Sequence, residues 1–322
     1  MKRQTFVLAL AAAALLPLSL PAQAQDTPTK IVIGFPPGGA VDSLARTLAE
    51  KLRASLGTTV LVENKPGANT FLAMDAVKKA APDGRTILIN FSNAFTIYPY
   101  TFGKLPYDPQ QDFVPLAQLV KFPLALSAGA NQPYRNFEEY RRWVKAAPGR
   151  ASVGMPGQGT SAHFAVLEMG KAMGVDVAAV AYKGGAAVLA DEMGGHIGAG
   201  IDSIGSKLEL SRGGKIRLLA VTGAKRTPLA PDVPTFGELG VKGLDYPSGW
   251  YGAFTTAGTP PDVVQKVSRA LNEALQDPAV RKQLENFGLE VAGSTPAELR
   301  ATIDSDMRFW QPVIRATGFR AD

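Results

Sequence analysis

The chain has 322 residues, no cysteine and only two histidines. The first absence excludes disulfides and thiolate metal sites. His163 and His196 stand far apart with no metal-ligand spacing between them, so no zinc site, and no metal or other cofactor, is expected. Charge is sparse: charged residues make up 19% of the chain, and the formal balance of +6 is spread as lysines and arginines scattered among acids. Nucleic-acid binding requires a basic stripe; none is present, and nucleic acid is not an expected partner. There is no G-x-S-x-G elbow of the kind that presents a catalytic serine. Long apolar runs are also missing apart from residues 6–20, which fall short of the roughly 20 residues of a membrane helix.

That run has a different use. Lys2 and Arg3 precede it, and Ala22-Gln-Ala24 follows as an A-x-A cleavage signal. A leader spanning residues 1–24 is expected, with a mature chain starting at Gln25, soluble in the periplasm or another secreted space. No cysteine follows the run, which excludes lipid anchoring. Loss of the leader removes Lys2 and Arg3 and leaves a mildly positive chain, a balance that favours approach of small anions.

The stretch Ile31-Val-Ile-Gly-Phe-Pro-Pro-Gly-Gly-Ala-Val-Asp42 organises the chain. It reads as a buried strand over 31–33, a Gly/Pro turn, and a helix whose apolar residues Val41, Leu44, Ala45, Leu48, Ala49 and Leu52 share one face. Gly38 and Gly39 let a ligand approach the backbone. The first helical N–H groups lack intrahelical partners and carry the positive end of the dipole. Together they form either a candidate anion cradle that needs no cationic side chain or an ordinary strand-to-helix connection.

Strands over 60–63 and 86–90 alternate with a helix over 72–79, a pattern that argues for a parallel α/β sheet. Ligands sit off the carboxyl ends of such strands, where Phe35, Gly38, Gly39, Phe71 and Ser92 can share one cleft. Residues 114–126 form an extended apolar run interrupted by Pro115 and Pro123. After a helix over 137–146, a second strand-loop-helix unit has the loop Met155-Pro-Gly-Gln-Gly-Thr-Ser-Ala-His163, with Thr160 or Ser161 as cap. It repeats the design of the first loop more than a hundred residues later. Further strands are expected over 177–182, 197–201, 216–222 and 250–255, and helices over 186–193, 261–276, 278–287 and 296–316. The expected architecture has two lobes with a hinge of two extended crossings. Residues 25–125 plus 249–322 form lobe 1, and residues 126–248 form lobe 2.

Several ordered segments carry a resemblance. They are Phe35-Pro-Pro-Gly-Gly-Ala-Val-Asp42, Val62-Glu-Asn-Lys-Pro-Gly-Ala68, Ala80-Ala-Pro-Asp-Gly84, Leu105-Pro-Tyr-Asp-Pro109, Gly157-Gln-Gly-Thr-Ser-Ala-His163, Tyr182-Lys-Gly184, Ala220-Val-Thr-Gly-Ala-Lys-Arg226, Pro231-Asp-Val-Pro-Thr235 and Ala257-Gly-Thr-Pro260. As a set they resemble the Bug family, the periplasmic substrate-binding proteins of tripartite tricarboxylate transporters. The resemblance covers essentially all of the mature chain. It implies an α/β type II periplasmic-binding-protein fold that closes on a small carboxylate, aromatic or dicarboxylic acids among the options, and delivers it as a monomer to membrane transporter subunits. It implies that backbone N–H groups of Gly38, Gly39 and Ala40, with Asp42, hold one carboxylate. The loop from Gly157 to His163 contributes Thr160 and Ser161 as donors, and Asp202 lines the pocket.

The sequence departs from the family after Ala68, where glycines usually continue and Asn69-Thr70-Phe71 stand instead. Phe71 either stacks on an aromatic ligand beside Phe35 and Tyr182 or packs into the core. His163 is a pocket wall or a partly buried helix residue; Asp202 faces the cleft or caps the next helix. Ser161, His163 and Asp202 do not make a triad, because two residues of separation at a helix start do not face each other, so no enzyme activity is expected. A periplasmic sensor with the same binding chemistry is the alternative to transport.

Overall fold

A computed structural model describes residues 27–245 and 249–321. The expected leader, residues 1–24, lies outside the described residues. Among the described residues no helix is long and apolar enough to cross a membrane.

The chain runs β1 (Thr29–Ile33), α1 (Ala40–Leu56), β2 (Val60–Asn64), α2 (Phe71–Lys78), β3 (Thr86–Phe91), two four-residue helices α3 (Asn93–Thr96) and α4 (Tyr98–Thr101), then β4 (Phe113–Phe122). After β5 (Leu124–Gly129) come α5 (Phe137–Ala146), β6 (Ser152–Pro156), α6 (Ser161–Met173), β7 (Ala178–Tyr182), α7 (Gly185–Gly194), β8 (Ala199–Ser203), α8 (Leu208–Arg212) and β9 (Ile216–Val221). The chain closes with β10 (Gly249–Thr256), α9 (Pro261–Gln276), α10 (Pro278–Asn286), β11 (Glu290–Val291) and α11 (Pro296–Thr317). The short helices α3 and α4 and the two-residue β11 are too brief to leave a periodic signal.

Two sheets result. The first has the order β11-β4-β10-β3-β1-β2 and the second β7-β6-β8-β5-β9. In the first, β1 pairs in parallel with β2 and β3, while β10 enters antiparallel between β3 and β4. In the second, β6 is parallel to β7 and β8, and β5 is antiparallel to β8 and β9. The long apolar run of the sequence is thus two strands in two sheets, β4 and β5, broken at Pro123. Proline has no N–H for a ladder, so the strand ends there. The change of sheet falls two residues before the expected lobe boundary.

The apolar stripe of α1 is buried as its spacing predicts: Leu44, Ala45, Leu48 and Leu52 are fully covered, packed with Val267 and Leu271 of α9. Each such leucine contributes roughly 1.5–3 kcal/mol of burial. Gly57 ends the helix in the left-handed region (φ 68°) and donates its N–H to Arg53. On the other side of the first sheet α11 buries Leu299, Ile303, Trp310 and Ile314. Its start carries a capping box, with Thr295 and Glu298 each bonding the other's backbone. Its end reaches the second lobe, where the Trp310 ring lies 6.0 Å from Phe164 of α6.

One buried acid holds this helix to the sheet. Asp306 accepts a 2.8 Å hydrogen bond from the Trp250 indole N–H. Burial pushes its carboxyl up to about 6, against the milder pulls of that hydrogen bond and of Lys121. An acid raised above its unfolded value binds its proton more tightly when folded, so stability falls as pH rises from about 4 through about 6. Asp306→Asn keeps an acceptor for Trp250 and removes the proton. Urea denaturation at pH 5 and pH 7 should show a flatter pH dependence for the variant, and a gain on the order of 1–2 kcal/mol at pH 7.

Candidate functional site

A cavity of about 640 Å³ opens between the two sheets. Its walls come from the ends of strands and the starts of helices, where the parallel connections put them. Gly38, Gly39 and Ala40 bring the start of α1; Gly157, Thr160, Ser161 and Ala162 bring the start of α6; Gly184, Gly185 and Ala186 bring the start of α7. Among the described residues lining it there is no lysine, arginine or histidine, and the sole formal charge is Asp202.

The first loop is set from within. Asp42 accepts from the Gly38 N–H at 3.0 Å, from Arg46 Nε at 3.0 Å and from Asn64 Nδ2 at 2.9 Å. Asn64 Nδ2 also donates to the Phe35 carbonyl at 3.1 Å. Burial alone raises the Asp42 carboxyl, but the hydrogen bonds from Arg46, Gly38 and Asn64 outweigh it and bring it down to about 2. Asp42 is therefore an ionised brace behind the loop and not part of the cavity wall. The Gly38 N–H that the sequence offered to a ligand is given to Asp42. The amides left without helical acceptors begin with Gly39, the residue before α1. Gly38 takes φ 90°, a conformation that favours glycine.

The second loop is capped by Thr160. Its hydroxyl accepts from the His163 N–H at 3.3 Å and donates to the Gly157 carbonyl at 3.2 Å, so its one proton is already committed. Ser161 opens α6 at the cleft. His163 is 7% exposed and turns away from the cavity. Its Nδ1 accepts from the Gly159 N–H at 3.2 Å, and its ring meets Phe319 edge-on at 4.6 Å. Burial lowers its pKa, so the ring is neutral at pH 7 and the Nδ1 acceptor persists.

Two more expected residues lie elsewhere. Phe71 packs into a ring cluster with Tyr98 (5.8 Å), Phe102 (5.2 Å) and Tyr107 (5.8 Å), which is the core alternative. Tyr182 gives its hydroxyl to Asp191 at 2.6 Å and is not among the residues that line the cavity. In both cases a closer polar or aromatic partner satisfies the side chain. Phe35, Gly38, Gly39, Ala40, Ser92, Gly157, Thr160, Ser161 and Asp202 do line the cavity.

Asp202 accepts from the Ser203 N–H at 2.7 Å and the Ser206 hydroxyl at 3.2 Å. Burial raises its carboxyl, opposed by Lys207 and by those two donors. Its Oδ2 crowds the start of α7: a Cβ on Gly185 would lie 2.1 Å from it, so a side chain there would push the carboxylate aside. Behind it Lys207, fully buried, bonds Glu192 at 3.0 Å and Ser127 at 2.5 Å.

Sequence reading expected the helix α7 but did not place its start at the cavity, although Lys183-Gly184-Gly185 before a helix repeats the glycine signal of the other loops. It also missed the rings Phe91, Tyr98, Phe122, Tyr251 and Phe287, which line the cavity but leave no local motif.

Known proteins resemble this chain in sequence and fold. The family model described as "Tripartite tricarboxylate transporter family receptor" matches residues 44–319. Protein BugT of Bordetella pertussis is 32% identical over 300 residues, covering 90% of this chain and 89% of BugT. The structure of the periplasmic binding protein BugD is similar at a TM-score of 0.81 and 31% identity, covering 91% of this chain and 98% of that one. The structure of R. palustris Rpa4515 with adipate has a TM-score of 0.84 at 27% identity, covering 91% and 98%.

The brace is open to test. A carboxyl held near 2 in the fold against an ordinary 3.8 adds stability above pH 4 that is lost as pH falls through about 2. Asp42→Ala should destabilise the protein by about 1–2 kcal/mol at pH 7. Urea unfolding at pH 3 should show roughly half that difference.

Proposed function

The chain belongs to the tripartite tricarboxylate transporter receptor family, and from that premise we propose that it is a periplasmic receptor that captures a small carboxylate and delivers it to the membrane subunits of such a transporter. One observation carries the proposal: two glycine loops, each opening a helix, face one cavity whose described lining holds no cationic side chain. A carboxylate placed between them meets N–H groups at the positive ends of α1 and α6. In this reading Gly39 and Ala40 hold the anion from lobe 1, and Ser161 and Ala162 at the start of α6 hold it from lobe 2. Phe35, Ser92 and Asp202 shape the remaining wall. Asp42 and Thr160 act at one remove by fixing the loops, and His163 fixes Gly159. Rpa4515, solved with adipate, supports a carboxylate as the ligand class.

Pro123 joins the lobes between β4 and β5, and they touch at Gly205. A Cβ there would sit 2.0 Å from the Phe287 carbonyl oxygen. That contact lies at the cavity edge and suits a fulcrum for closure about the two crossings. The family is one of receptors, and in this reading the residues at the cavity serve to hold a guest.

A thermal-shift panel of adipate, malate, glutamate and benzoate tests the proposal. Ligand at a hundred times its Kd adds about 2.7 kcal/mol, which raises the melting temperature of a chain of this length by about 4 °C. Adipamide, which lacks the charge, should give no shift. Flat curves for every acid, or equal shifts for adipate and adipamide, would overturn the reading.

A further inference from the structure

The cavity has two unlike walls. The first lobe supplies rings. Phe35 meets Phe91 edge-on at 5.5 Å and Tyr251 at 6.0 Å. Phe91 meets Tyr98 at 5.7 Å, and Tyr251 lies 5.1 Å from Phe122. All five line the cavity, so they form one unbroken chain of rings across it. Phe35, Phe91 and Tyr251 are only partly buried. The second lobe supplies small residues and one charge, Asp202, whose oxygens are anchored by Ser203 and Ser206. The neighbouring cation, Lys207, is committed to Glu192 and Ser127.

The geometry points to a ligand with one carboxylate on an aromatic ring and an uncharged hydrogen-bond donor, such as a hydroxyl, at the end that meets Asp202. This inference rests on the carboxylate reading above and narrows it. A flat ring gains edge-to-face contact with the aromatic chain, which an aliphatic acid of similar length cannot match. A second carboxylate brought beside Asp202 meets a like charge whose neighbouring cation is already held by Glu192 and Ser127, and such a pair is disfavoured. A hydroxyl has a proton to give to the same oxygen. Affinity and exclusion thus come from opposite walls, an attractive element and a repulsive one together.

Isothermal titration of the mature chain with benzoate, 4-hydroxybenzoate, terephthalate and adipate tests this. The hydroxybenzoate should bind at least tenfold tighter than terephthalate or adipate. Asp202→Asn should shift the ratio of terephthalate to benzoate affinity at least tenfold toward terephthalate. Phe91→Leu should shift the ratio of benzoate to adipate affinity about tenfold toward adipate. The wild-type ranking needs no variant and decides the matter even where a variant fails to fold. Adipate binding tighter than both aromatic monoacids overturns the inference while leaving the carboxylate reading intact, and so does a terephthalate affinity indifferent to Asp202→Asn. Silence of all four acids overturns the inference, and together with flat melting curves for malate and glutamate it overturns the carboxylate reading as well.

Discussion

The Asp42 carboxylate sits 3.0 Å from the Gly38 amide and within hydrogen-bond reach of Arg46 and Asn64, and the shape of the cavity depends on that cluster. Asn64 ends β2, Phe35 comes just after β1, and Arg46 lies one turn into α1. One ionised group therefore joins two parallel strands and the helix between them at the point where the chain turns into the cleft. It also places a negative charge in the first turn of α1, where the dipole favours it. The helix start is thus partly neutralised from inside, and a guest anion competes for the remainder. This makes a second helix start, on the opposite lobe, a physical requirement for a firm grip and more than a repetition of design.

The regular elements were legible because their signals are local. The i, i+3, i+4 spacing of α1, the cap at Thr160 and the short apolar strands each require only a few neighbouring residues, and each appears where expected. The two glycine loops were legible for the same reason. Phe71 was not, because a ring at a helix start can turn either way, and three rings far along the chain decide it. Nor was the role of Asp42, since its partner Asn64 lies on another strand. The aromatic wall gathers Phe35, Phe91, Phe122 and Tyr251 from four separate segments, and β10 brings the last of these in as an antiparallel strand between β3 and β4. No local pattern encodes that.

The departure at Asn69-Thr70 has a structural meaning of its own. Ala68, Asn69 and Thr70 take φ values of 45°, 53° and 72°, three consecutive non-glycine residues in the left-handed region. Each such residue costs about 1 kcal/mol or more, so the surroundings must impose the conformation. Thr70 shows how. Its hydroxyl accepts from the buried Asn90 amide at 2.9 Å. Its side chain fills the space above Gly34, where a Cβ would lie 2.4 Å from Thr70 Cβ. Glycines at these three positions would adopt the same turn without strain but would also leave it freely. Side chains that lock the turn from both sides exchange that freedom for a fixed wall beside Phe91, with Asn69 and Thr70 lining the cavity. A wall already ordered before the guest arrives removes part of the entropy loss of binding, and a rigid aromatic surface discriminates by shape where a mobile one would adapt.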